Sequence, residues 1–343
     1  PTYHMKSVLL SVLALFYSVT YAQVTSPQTL TKIAFGSCND QRKPMEVFYK
    51  IADEHPQLFV FLGDNVYGDT EDMQVLQAKY DTLASRLPYQ KLLQQAPVIA
   101  TWDDHDFGVN DGGKEYPKKE ESKKIFLDFF KEPTNSERRT REGLYASYMY
   151  GEAGKRVQVI LLDCRTFRDS LLFKKHPQIW GEYQRCGDTL KNMLGTAQWK
   201  WLEGELQKPA DVRLIGSSTM FLVDYNGWEA WANFTCESER MLSLIKKTKA
   251  NGVVFLSGDI HHGEISKRKV EGQYPIYDFT SSGLTHTVWF ANKNKYRVGT
   301  AYCKINYGLL SFDWDRRSLL FELKNKKGKT VRQQAVNLDE LKL

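Results

Sequence analysis

Residues 58–69 read Leu58-Phe59-Val60-Phe61-Leu62-Gly63-Asp64-Asn65-Val66-Tyr67-Gly68-Asp69. The first five are apolar without alternation, the pattern of a strand buried on both faces. Gly63 then permits a tight turn, and Asp64 follows at the rim as a hard oxygen donor. Three further apolar runs end in the same way. Ile33–Phe35 leads into Gly36-Ser37-Cys38-Asn39, and Val98–Ala100 into Trp102-Asp103-Asp104-His105-Asp106. Val253–Leu256 leads into Ser257-Gly258-Asp259-Ile260-His261-His262. In an open α/β sheet, ligands bind outside the carboxyl ends of the strands. Four ends that carry Cys, Asp, Tyr, Asn and His together point to a multinuclear metal site built for hydrolysis.

Each residue type has a chemical reason. A carboxylate has two oxygens, so Asp64 can bridge two cations. Tyr67 can supply a phenolate, and a phenol of pKa ~10 ionises near neutrality only beside a strong Lewis acid such as ferric iron. The alternative for this loop is an Asp that caps the next helix, with Tyr67 in the core. Asp103, Asp104 and Asp106 crowd carboxylates around His105, an unfavourable arrangement unless cations neutralise it. An exposed acidic turn is the alternative there. Asn110 follows in the same loop and can offer an amide oxygen. Asp259 and His261, one residue apart, can face a common centre, whereas His262 faces elsewhere, as a support or a substrate contact. Cys38, as a thiolate, suits iron or zinc better than magnesium or calcium.

Composition bounds the class. The chain has 343 residues, 42% of them hydrophobic and 13% aromatic, enough for a large core. Its net charge of +6 is mild and the basic residues form no nucleic-acid-binding tract; a modest positive field favours anionic substrates. Met5-Lys6, the apolar run Val8–Tyr17 and Thr20-Tyr21-Ala22 have the layout of a secretory signal over residues 1–22, with a short extension before Met5. A single domain is expected over 23–343, secreted or periplasmic, with no membrane span. Five cysteines in an oxidising compartment predict pairing. Cys38 is the odd one out, leaving two bridges among Cys164, Cys186, Cys236 and Cys303, with buried free thiols as the alternative. Asn233-Phe234-Thr235 is a glycosylation acceptor triplet if the chain passes an endoplasmic reticulum.

Strand and helix patterns alternate along the chain. Helices are expected over Pro44–Glu54, Asp72–Leu87, Glu120–Phe130, Thr196–Leu206 and Glu237–Lys249. Further strands are expected over Tyr145–Met149 as an edge, Val157–Leu162, Val212–Gly216, Ile276–Phe279 and a terminal hairpin of Leu309–Trp314 with Leu319–Leu323. The order predicts two packed sheets flanked by helices. Residues 169–194 and 286–304 carry no motif and are read as cleft walls, with Trp289, Phe290 and Tyr296 either an aromatic wall or core.

The segments FGSCN (35–39), FLGDNVYGD (61–69), TWDDHDFGVND (101–111), LDCRTFR (162–168), QWKWLEGEL (198–206), LIGSS (214–218), VVFLSGDIHHGE (253–264) and YPIYDFTSSGLTH (274–286) together resemble the alkaline phosphatase D (PhoD-like) family of metallophosphatases. The resemblance implies a calcineurin-like α/β sandwich of two mixed β-sheets flanked by helices, and hydrolysis of phosphoric esters by a metal-activated oxygen nucleophile. It implies ferric iron on Cys38, Asp64, Tyr67 and Asp259. It implies calcium on Asp64, Asn110, Asp259 and Asp103 or Asp104, with His261 a ligand or hydrogen-bond donor. Zinc, manganese and magnesium are the alternative metals. Within that mechanism Arg165 and Arg168 can clamp phosphoryl oxygens, with an ion pair as the alternative. His105 or His261 can protonate the leaving alkoxide. The expected partner is a small or polymeric phosphate ester, monoester or diester. Competing readings are a phospholipase-type phosphodiesterase and a non-catalytic extracellular binder of anionic polymers. The oligomeric state is not readable.

Overall fold

The computed structural model describes residues 24–175, 181–224 and 227–343; the signal expected over residues 1–22 lies outside the described residues. The first half contains β1 (Val24–Ser26), β2 (Lys32–Gly36), α1 (Val47–Asp53), β3 (Leu58–Leu62), α2 (Met73–Ser85), α3 (Leu87–Gln95), β4 (Val98–Thr101), α4 (Asp104–Phe107), α5 (Lys119–Phe129), β5 (Ala146–Tyr150) and β6 (Val157–Leu161). The second contains α6 (Gly195–Leu206), β7 (Val212–Ser217), α7 (Thr235–Thr248), β8 (Val253–Ser257), β9 (Gly263–Arg268), β10 (Ile276–Ser281), β11 (Asn306–Asp313), β12 (Ser318–Asn325) and β13 (Thr330–Asn337). They form a seven-stranded sheet, β1-β5-β6-β7-β8-β10-β9, and a six-stranded one, β13-β12-β11-β2-β3-β4.

Both sheets have parallel centres: β2, β3 and β4 in one, β6, β7, β8 and β10 in the other. Parallel neighbours need crossovers, and the helices supply them. Successive side chains of a strand face opposite ways. Ile33, Phe35, Leu58, Val60 and Leu62 therefore join the core shared with the second sheet, while Ala34, Phe59 and Phe61 pack with α1, α2, α3 and α5. Phe279 of β10 stacks on Phe321 of β12 at 4.4 Å and so bridges the sheets, with Phe35 of the same sheet as Phe321 packed 5.8 Å from it. Trp199, Leu202, Met241 and Ile245 place α6 and α7 on the same core. This is the two-sheet sandwich expected from the sequence. At one end, a parallel bridge between Ser37 and Ser282 ties the tips of β2 and β10 together. That tie brings the loops of the two sheets to one edge.

Several local expectations need correction. The helix expected over 72–87 ends at Ser85, because Arg86 takes an extended conformation (ψ 118°). A new helix then starts with Pro88 in its first turn, where a missing N–H is harmless. Tyr145–Met149 is not a free edge, since β1 pairs outside β5. The β11–β12 hairpin is not terminal: β13 adds a third antiparallel strand whose Thr330–Asn337 side chains are mostly solvated and carry little apolar signal. All five cysteines are free. Cys164 is enclosed beside the Ser217 hydroxyl at 3.5 Å, and Cys236 donates to the Gly187 carbonyl at 3.3 Å, so the two expected bridges do not form. Asn233 is buried at 2% exposure. Its Oδ1 accepts from Ala230 N and its Nδ2 donates to the Gln184 carbonyl, so the side chain is turned into the protein. No helix among the described residues is long and apolar enough to cross a membrane.

Candidate metal centre

The four loops converge with their backbones under tension. Cys38, Asp64, Asp259 and His261 have φ of 59°, 50°, 68° and 60°. The left-handed region costs a non-glycine residue ~1–2 kcal/mol, and such strain concentrates at functional sites. Two glycines make the crowding sterically feasible. A Cβ on Gly63 (φ 97°) would lie 2.4 Å from the Asp103 Cβ. One on Gly258 would meet Ser218 O and Ser37 Oγ, each at 2.7 Å. The Asp64, Asp103 and Asp259 loops can therefore touch only because these positions lack side chains.

One half of the site is soft. Cys38 Sγ lies 3.4 Å from Asp64 Oδ2 and 3.0 Å from Ser282 Oγ. Tyr67 donates its hydroxyl to Asp64 Oδ2 at 3.2 Å and sits 3.1 Å from His261 Nε2. His261 stacks on His286 at 4.4 Å between centroids, and the Tyr67 ring lies tilted against His105 at 4.2 Å. The other half is made of hard oxygens. Cys38, Asp64 and His261 offer one set of donor atoms within 4.8 Å of one another; Asp64, Asp104 and His105 a second; Asp103, Asp104 and Asp259 a third; Asp104, Asp111 and Glu229 a fourth. Asp64 and Asp104 belong to more than one set, as bridging ligands would.

Without a cation the electrostatics are unfavourable. Burial, then the Asp64 charge, pushes the Cys38 thiol up. Burial raises the Tyr67 phenol, with Asp64 and Cys38 adding to it. Burial also lifts the carboxyls of Asp64 and Asp259 far above the usual range, and raises Asp103 to about 8. Against the penalty of burial, the charges of Arg165 and His105 hold Asp104 low. His105 is raised to about 11: burial opposes the shift, but Asp64, Asp104 and the 2.6 Å bond from its Nδ1 to Asp69 outweigh it. Burial and the neighbouring His286 push His261 down to about 3. Asp64 Oδ1 and Asp103 Oδ2 are buried without any hydrogen-bond partner. Buried polar atoms are normally paired, so these oxygens fit a cation. The donor chemistry fits too, since thiolate and phenolate suit iron and carboxylates suit calcium.

The structure rearranges some expected roles. Arg165 is fully buried. Its Nε lies 2.5 Å from Asp103 and its Nη1 2.7 Å from Glu229. Arg168, also buried, pairs with Glu229 at 3.0 Å and donates to the Asp111 carbonyl. Both guanidiniums are ion-paired within the carboxylate network rather than presented as an open clamp. Asn110 is exposed, lines the cavity and donates to Asp111 Oδ2 at 2.9 Å, and Asp111 joins Asp104 and Glu229. Asp106 turns away: it accepts from Asp103 N, Asn65 and Tyr80 and caps α4. Ser218 donates to Asp103 at 2.7 Å, and Ser282 accepts from His261 N at 2.7 Å, so the strand-end serines support the ligands. Asp111 was visible in its motif as a further acid after Asn110. Glu229 sits in a stretch with no motif, and nothing in the sequence singles it out.

A cavity of about 330 Å³ opens beside Asp104, His105, Asp259 and His261. Its far walls come from Tyr183, Phe290 and Arg297, within the two segments read as cleft walls. Trp289 is instead 79% exposed, and Tyr296 packs against the core.

A two-sheet sandwich with a bridged donor cluster at its strand ends is the architecture of a metallophosphatase. The model of the PhoD-like phosphatase family matches residues 33–304. The chain belongs to that family. Alkaline phosphatase D of Bacillus subtilis (strain 168) is 22% identical over 283 residues, which cover 69% of this chain and 47% of that protein. The chain thus spans about half the length of this curated relative. The solved structure of PhoD superposes with a TM-score of 0.72 at 16% identity, covering 92% of this chain and 69% of that one. A dimetal phosphatase from Danio rerio superposes with a TM-score of 0.57 at 12% identity, covering 91% of this chain and all of that one. These likenesses establish the fold.

Proposed function

We propose that the chain is a metal-dependent hydrolase of phosphoric esters, diester or monoester, exported by the signal over residues 1–22 and folded as one domain over 23–343. The observation that carries this reading is the set of four overlapping donor groups linked through Asp64 and Asp104. We assign ferric iron to Cys38, Asp64, Tyr67 and Asp259 with His261, and calcium to Asp64, Asp103, Asp104 and Asp259. Cations held there would supply Lewis acidity toward phosphoryl oxygens and a water of lowered pKa, near ~7.

The remaining chemistry belongs to the protein's own side chains. Arg165 and Ser218 hold Asp103 in place. Asp69 occupies His105 Nδ1 at 2.6 Å, which leaves Nε2 to hold a proton for the leaving oxygen. His261, grouped with Cys38 and Asp64, is better placed as a ligand. Met220, Val223 and Ile260 line the cavity and would exclude water from the alcohol side of the ester. The test is hydrolysis of bis-p-nitrophenyl phosphate and p-nitrophenyl phosphate by the purified protein, with metal analysis by mass spectrometry. Activity should vanish on chelation, return with added metal and be absent in Asp64→Asn. An active protein free of bound cations would sink the proposal.

A further inference from the structure

One corner of the cavity carries an ion-paired arginine that the cation cluster does not use. Among the described residues lining it, Arg297 is the one arginine or lysine. Its Nε lies 2.5 Å from Glu264 Oε2, and its Nη2 donates to the Asn292 carbonyl at 2.6 Å. Glu264 has no exposed surface and binds His262 Nε2 at 3.0 Å, Ser266 Oγ at 3.0 Å and Asn294 Nδ2 at 2.7 Å. Burial would oppose ionisation of this carboxyl, but His262 and Arg297 hold it below the usual range. The guanidinium is therefore pinned by a carboxylate that has other donors of its own. Two of its faces are fixed, and the side chain, 15% exposed, lines the cavity.

The placement separates this corner from the cation cluster. Arg297 pairs through its backbone with Ser266, three residues along β9 from Gly263. At ~3.3 Å per strand residue, that is roughly 10 Å from the start of the strand. The His262 ring and the Glu264 carboxylate stand between Arg297 and the Asp259–His261 loop. An ester with its phosphoryl group at Asp104 and Asp259 would direct its alcohol portion along the apolar wall of Met220, Val223, Ile260, Val288, Phe290 and Ala291 toward Arg297.

We propose that Arg297 is a specificity-determining residue that binds a second anionic group, a carboxylate or a further phosphate, on the alcohol portion of the substrate. This rests on the phosphoesterase reading and names the class of ester the site prefers. An ionised hydrogen-bonded contact of this kind changes affinity about tenfold or more, and a guanidinium fork suits either acid.

Isothermal titration of the full, metal-loaded protein with phenylphosphonate and 4-carboxyphenylphosphonate tests it. The carboxylate-bearing probe should bind the parent protein at least about tenfold more tightly. Arg297→Gln should bring the ratio of the two dissociation constants to about one. Arg297→Lys, which keeps the charge and loses the fork, should fall between; if Arg297→Gln does not fold, Arg297→Lys decides. A ratio near one in the parent, or a ratio unchanged in the folded variants, overturns the proposal. Equal weakening of both probes also overturns it, because it would place Arg297 on the phosphoryl group. Turnover of p-nitrophenyl phosphate, measured in parallel, separates the two readings: preference without turnover rejects the hydrolase and keeps the anion contact.

Discussion

Arg165 is the charge on which the metal-free carboxylate cluster depends, and Arg165→Met removes it at nearly constant volume. The guanidinium is fully buried, 2.5 Å from Asp103 and 2.7 Å from Glu229, with Asp104 at 3.7 Å. Removing one partner of a buried ion pair costs about 3–5 kcal/mol, because the other charge is left uncompensated. Unfolding entropy of ~2.1 cal/mol/K per residue converts that loss, for a chain of this length, to a fall of about 4–7 °C in Tm. Scanning calorimetry in chelator and in saturating metal reads it. The fall should be larger in chelator, since bound cations also neutralise Asp103 and Asp104. Arg165→Met/Glu229→Gln should recover part of the loss, because one orphaned charge is gone. A single variant that melts within about 1 °C of the parent in chelator would refute the view that this pair balances the cluster.

Other consequences are as specific. Gly63→Ala forces a Cβ to 2.4 Å from Asp103 at φ 97°; we expect at least ~2 kcal/mol of destabilisation and a loss of bound metal per chain, read by urea unfolding and elemental analysis. Tyr67→Phe removes the hydroxyl that lies 3.2 Å from Asp64; with iron bound, a visible absorption band should shift or bleach, and an unchanged spectrum would exclude Tyr67 as its source. Phe321→Ala opens the aromatic bridge between the sheets and should cost about 3–5 kcal/mol in urea unfolding. Expression through a glycosylating secretory pathway should add no glycan at the buried Asn233, which the intact mass will show.

The strand-end loops were legible in the sequence because their information is local. A buried run followed by Gly63-Asp64 or Gly258-Asp259 fixes strand, turn and donor within a few adjacent residues. Cys38, Asp64, Tyr67, Asp103, Asp104, Asp259 and His261 do meet in the structure. The break at Arg86 was not legible, since apolar spacing continued through it. β13 was hidden for the opposite reason: its pairing with β12 is made by backbone groups under largely polar side chains.

What the sequence determined by itself was the set of donors and the two-sheet frame that would carry them. Tertiary structure alone decided which carboxylates share an edge and which charges balance them. Glu229 meets Arg165 across 64 residues of chain and Asp103 meets it across 62. It also turned Asp106 inward as a cap, left Asn110 at the surface and enclosed Asn233. Those outcomes depend on Coulomb energy and desolvation, which are fixed by distances between chain segments far apart in sequence and are encoded in no single stretch of it.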